Sequence, residues 1–216
     1  MKAALCALLL ALAGFGCARI YRPVTLLAPP ATVRGPGLSG QVVLQPWGDN
    51  SRYERRALNS HLRVAVLTLE NPSEAEVEVV RLELPDDAIL LSHETALTLV
   101  RQRALGYLSF SLIPGILALG RGGDRYGVAI FGAMGVIGLG IGLPNAIIAS
   151  RSNRRLGDFF RDVAWSPGPL GPGQIRRGLI FIRSRDPYAA VPIRVIHRNP
   201  TGDRRLELVC PGIPPH

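Results

Sequence analysis

Lysine is almost missing from this 216-residue chain: Lys2 is its only one, and every other basic residue is arginine. Cysteine is scarce at three residues, and aromatic side chains make up 6%. Each shortage excludes something. There is no Cys-x-x-Cys pair, and His61, His93, His197 and His216 lack metal-ligand spacing, so neither a zinc site nor a dithiol redox motif is written here. Gly-x-Ser-x-Gly and His-Glu-x-x-His are absent too, which removes the hydrolase classes that those motifs mark. Asp86-Asp87 and His93-Glu94 are the nearest things to acid-base pairs, but adjacent residues on a strand face opposite ways, and a turn accounts for the aspartates. The arginines are scattered, without interleaved aromatic stacking positions, which argues against nucleic acid. No catalytic residue, metal ligand or cofactor site follows, so the expectation is a protein that is not an enzyme. The net charge of +9 and a pI near 10.5 suit an anionic surface, such as lipid head groups or acidic envelope polymers.

What the chain does have is two long apolar runs, Ala104 to Gly120 and Gly127 to Ala149, separated only by Arg121-Gly-Gly-Asp-Arg-Tyr126. As helices they would reach roughly 25 Å and 34 Å, against about 30 Å of hydrocarbon. The spacing predicts a hairpin of membrane-spanning helices over 104–150. Pro114 and Pro144 are compatible with it, because neighbouring helices can satisfy freed carbonyls in a membrane. On a helix Gly132, Gly135, Gly138, Gly142 and Ala146 fall on one stripe about 120° wide, which reads as a helix-packing face of the small-xxx-small kind. A buried helical hairpin in a soluble core, or glycine-rich buried strands, is the alternative. Gly135-Val-Ile-Gly-Leu-Gly140 does not read as a dinucleotide loop, because it lies inside an apolar run and no charged residue follows at ribose distance.

The amino terminus sets a compartment. Met1-Lys2, the apolar Ala3 to Ala13 and the small residues before Cys17 form a secretory signal peptide over 1–16. Leu12-Ala-Gly-Phe-Gly-Cys17 resembles the lipobox of bacterial lipoproteins, departing from it at Gly14 and Phe15 and matching it at Gly16 and Cys17. The resemblance implies that Cys17 becomes the lipidated first residue, carrying palmitate or a similar acyl chain. Cys210 would then be the one remaining thiol of the mature chain. Without acylation, a Cys17 to Cys210 bridge stays open.

Residues 17–40, with Pro23, Pro29, Pro30 and Pro36, read as a lipid-anchored tether. Strand candidates follow in the first part of a sheet domain, 41–103: Gln41 to Trp47, His61 to Leu69, Ala75 to Leu84 and Ala88 to Leu99. Residues 151–165 hold Leu156, Phe159, Phe160 and Val163 at helical spacing, a short amphipathic helix at a membrane surface. After the Pro/Gly break at 166–173, Ile175 to Arg183, Val191 to Arg198 and Arg204 to Cys210 supply the second part, 166–216. The fold class expected is mainly β, an antiparallel sandwich interrupted by the helical hairpin. Pro172-Gly-Gln-Ile-Arg-Arg-Gly-Leu-Ile-Phe-Ile182 resembles a strand-entry pattern of immunoglobulin-like domains in bacterial envelope proteins, which implies that kind of sandwich.

Arg101 and Arg103 before the hairpin, with Arg151, Arg154 and Arg155 after it, flank the membrane at the base of the hairpin. With the sheet domain in the periplasm, that placement opposes the positive-inside rule at the inner membrane, so the outer membrane is the expected location. Lipobox and glycine stripe together resemble surface-exclusion and glycine-zipper lipoproteins. The expected role is structural or assembly-related, with membrane lipid and either a second copy or another envelope protein as partners. A pore or transport accessory, its hairpins lining a passage, is the alternative.

Overall fold

The computed structural model describes residues 18–107 and 125–214, and the backbone alone for helix residues 125–141. The described chain is mainly β, with two antiparallel sheets. Its strands are β1 (Val33–Gly35), β2 (Leu38–Leu44), β3 (Leu62–Glu70), β4 (Val77–Glu83), β5 (Ala88–Leu91), β6 (Gly168–Leu170), β7 (Ile175–Ser184), β8 (Val191–Asn199) and β9 (Gly202–Cys210). The helices among the described residues are α1 (Ser51–Asn59), α2 (His93–Val100) and α3 (Arg125–Val163), and residues 104–107 are helical as well. One sheet runs β1-β2-β3-β7-β5 and the other β6-β4-β8-β9.

Two compact units divide the chain. One comprises Met1–Tyr21 and Gln102–Arg155, the other Arg22–Arg101 and Leu156–His216. All nine strands of the described residues belong to the second. Its core is the sum of the alternations along the strands: Ala65, Leu67 and Leu69 of β3 with Ile180 and Ile182 of β7 meet Val77 and Val79 of β4, Val191, Ile193 and Val195 of β8, and Leu206 and Leu208 of β9. Gly40 of β2 permits the close approach, since a Cβ there would stand 2.8 Å from Leu69 and 3.1 Å from Leu208. At the β1-β2 turn, Pro36-Gly37 places glycine at φ +80°, a conformation that suits the third position of a type II turn.

The opposite residues of β3 and β7 are buried as well, which is why β3 reads as a nearly continuous apolar run. Tyr53 and Ala57 of α1, Ala96 and Val100 of α2, and Leu156 and Phe160 at the end of α3 are the buried residues of the helices in this unit. Phe160 lies 4.7 Å from Phe181 of β7 and 6.2 Å from Trp47, ring centroid to centroid, and Trp47 stacks on Tyr53.

Several expectations need correction. The run Ala88 to Leu99 is strand only to Leu91; there the Ser92 hydroxyl accepts from Thr95 N, and the capped chain turns into α2. Residues 33–40 of the expected tether contribute β1 and the start of β2, and α1 adds a helix between the first two expected strands. Among the described residues no inserted membrane hairpin is seen. Of the first arm, 108–120 lies outside the described residues, as does 121–124 of the link. The second arm lies within α3, a 39-residue helix that continues through Pro144. Among residues whose side chains are described, no helix is long and apolar enough to cross a membrane; in α3 these residues include Arg151, Arg154, Arg155, Asp158, Arg161 and Asp162.

Candidate functional site

The four residues after Cys17 form an extended strap, and a polar clasp holds it. Ala18 N donates to Asn145 Oδ1 at 2.9 Å and Tyr21 N to Ser152 Oγ at 3.1 Å. Between them Gln102 grips Arg19 at both backbone groups, its Nε2 donating to Arg19 O at 2.8 Å and its Oε1 accepting from Arg19 N at 3.4 Å. Gln102 is itself fixed by α3, because Asn153 Oδ1 accepts from Gln102 N and Asn153 Nδ2 donates to Gln102 O, both at 2.8 Å. Neutral amides suit this work, since each offers both a donor and an acceptor to a backbone outside the strands. Gln102, Ser152 and Tyr21 are almost wholly buried, where an unmet backbone group would cost about 1–3 kcal/mol.

The clasp residues extend the small-residue stripe. At 100° per residue Gly142, Asn145, Ala146, Ala149, Ser152 and Asn153 share a face about 120° wide. Gly142, Ala146 and Ala149 are buried, the last completely. Their packing partners therefore include other parts of the same chain. Gly132, Gly135 and Gly138 lie on the same helix where only the backbone is described, and Cys17 lies outside the described residues.

Arg151, Arg154 and Arg155 occupy the side of α3 away from that stripe, and all three are exposed. Arg103 is exposed as well. Arg101, at the end of α2 in the other unit, is exposed and lends its carbonyl to Arg56 Nη1 at 2.5 Å. The clasp was missed in the sequence because asparagine, serine and glutamine read as surface residues. The signal that could have found it is angular: Asn145, Ser152 and Asn153 fall on the glycine side of the helix and not on the arginine side.

In the sheet unit the strap continues under the same chemistry. Asn50 accepts from Arg22 N and donates to Arg22 O, both at 2.9 Å, while Gln45 accepts from Leu27 N and donates to Thr25 O, both at 3.1 Å. Asp86 and Asp87 are exposed in a turn, and Glu94 is exposed in the first turn of α2 beside a half-buried His93. His197 is buried, one ring nitrogen 3.1 Å from Pro36 O. Among the described residues no three His, Cys, Asp or Glu side chains come together in a way that could hold a metal. A cavity of about 260 Å³ beside α1 is lined mainly by apolar residues, Leu44, Trp47, Leu58 and Ile213 among them, with Glu54 and Arg63 as its charged residues.

Among the described residues Arg63 is the largest fully buried side chain, 1% exposed, and no carboxylate there pairs with it. Its Nη2 donates to Ser184 Oγ at 3.1 Å, to Asp186 O at 2.6 Å and to Ala189 O, and its Nη1 reaches Pro211 O at 3.5 Å. Backbone carbonyls thus replace the usual counter-ion, and one side chain ties the β7-β8 connection to the segment after β9. Cys210 lies beside it: burial pushes this thiol up to about 11, against the opposing influence of the Arg63 charge.

No protein-family model matches the chain, and no curated protein matches it either. Two solved structures are similar at a low level. A FixG-related protein from Vibrio parahaemolyticus has a TM-score of 0.33 at 7% identity, covering 82% of this chain and 98% of that one. The VesB protease of Vibrio cholerae has a TM-score of 0.31 at 8% identity, covering 81% of this chain and 32% of the other. Likenesses of this size carry no argument about fold or activity.

Proposed function

We propose that this chain is a non-enzymatic lipoprotein of the cell envelope: an immunoglobulin-like sandwich fixed to a membrane by acyl groups on Cys17 and by the glycine-rich hairpin, serving structure or assembly. The observation that carries the reading is the clasp. Ala18 to Tyr21, the residues next to the lipidated position, are bound to Gln102 and Ser152, which bracket the apolar runs, and to Asn145 near the end of the second. A tether that only spaced a domain from a surface would need no such bonds, whereas two anchors that enter one lipid surface must leave it side by side. Arg103, Arg151, Arg154 and Arg155, exposed in that same unit, suit the head groups there. The stripe through Gly132, Gly135 and Gly138 would pack the two helical arms, and copies of them, at close backbone distance. The outer membrane, with the sandwich on its periplasmic side, is the location that the arginine placement favours.

Labelling cells with radioactive palmitate tests the first anchor. The wild-type chain should take up label and Cys17→Ser should take up none. Equal labelling of both, or none in either, would overturn the lipidation of Cys17.

A further inference from the structure

Three of the four sheet edges are short: β1 and β6 have three residues and β5 has four. The fourth, β9, has nine, without proline, and pairs with β8 in unbroken register from Val191↔Cys210 to Asn199↔Gly202. Among the described residues no backbone group of 202–210 bonds to anything but β8. A long regular edge of this kind is a template for a further strand.

We infer that β9 pairs antiparallel with β9 of a second copy, joining two four-stranded sheets into one of eight. The side chains select that occupant. Leu206, Leu208 and Cys210 face the core, while Asp203, Arg205, Glu207 and Val209 face solvent. A two-fold axis normal to the sheet keeps solvent faces together, so odd-numbered residues must meet odd-numbered residues. Centred on Leu206, it opposes Arg205 to Glu207 of the copy twice over and aligns all nine residues. Centred on Arg205 or on Glu207, it sets like charges face to face. Centred on Arg204, it opposes Arg205 to Asp203, a carboxylate that Arg198 already holds at 2.8 Å, and aligns only 202–206 before the β8-β9 turn intervenes. Arg205 has no ion pair within the described chain, and Glu207 meets Arg194 from one side only, at 3.3 Å. Neither lipid nor hairpin enters this register, so the pairing stands or falls apart from the anchoring proposal.

Cysteine cross-linking of the full chain in detergent tests it. In the register centred on Leu206, residue 203 lies opposite residue 209 of the copy, while 203 and 209 each lie far from themselves. Mild oxidation of Asp203→Cys/Val209→Cys should give a covalent dimer that neither single variant gives. In that background Arg205→Glu and Glu207→Arg should each lower the dimer yield roughly tenfold, since each opposes like charges, and an equimolar mixture of the two should restore it. The pairing is overturned if no dimer forms above the parent chain, if the single variants link equally well, or if the charge changes leave the yield unaltered.

Discussion

Arg63→Met should destabilise the sheet unit by about 3–5 kcal/mol, read as a shift in the urea midpoint of the full chain in detergent. The reporters are suitably placed, because Trp47 and Trp165, the two tryptophans of the chain, both lie in that unit. Methionine fills much of the same volume but donates nothing. The buried Ser184 hydroxyl and the carbonyls of Asp186, Ala189 and Pro211 would all lose the one donor that draws them together. Replacing both members of a buried ion pair by apolar groups can be nearly neutral, but that escape is closed here because the acceptors are backbone. Arg63→Lys should recover only part of the loss, since an ammonium cannot reach several acceptors with a planar fork. A change below about 1 kcal/mol in Arg63→Met would mean that the guanidinium is not what ties these segments together.

Phe160→Ala should cost a comparable amount, about 3–5 kcal/mol, by the same measurement. Phe160 is 1% exposed and contacts both Phe181 and Trp47, so truncation leaves a void among rigid rings that cannot close over it. Trp47 emission should move to longer wavelength in the folded state as its neighbour is lost. Phe160→Leu keeps most of the volume and should cost no more than about 1.5 kcal/mol. Were alanine and leucine to cost the same few tenths, the end of α3 would not be seated on the sheet at all.

The strands were legible where apolar runs were bounded by turns. Asn71-Pro72-Ser73 ends β3 because the Asn71 side chain bonds Ser73 N at 3.0 Å and Ala75 O at 2.8 Å, as its turn chemistry suggests. α1 was illegible for the opposite reason: nine residues, mostly polar, with only Tyr53 and Ala57 buried, offer too short an apolar repeat. Ala88 to Leu99 misled because strand and helix share one apolar run, and the stop signal was the single hydroxyl of Ser92. Arg63 was hidden inside β3, where an isolated arginine reads as a solvent-facing residue, since the carbonyls that hold it come from positions 186, 189 and 211. The clasp is of the same kind, its partners 51 to 131 residues apart in sequence. Local pattern reports elements, whereas sites made by distant backbone groups need the fold.

Alkaline carbonate washing of membranes from cells making wild type or Cys17→Ser tests the two-anchor arrangement most directly. On the proposed reading both forms should stay with the membrane pellet, the hairpin alone holding the chain when the acyl anchor is gone. Release of Cys17→Ser alone would contradict that, leaving the lipid as the sole anchor and the glycine-rich segment as a buried part of the fold.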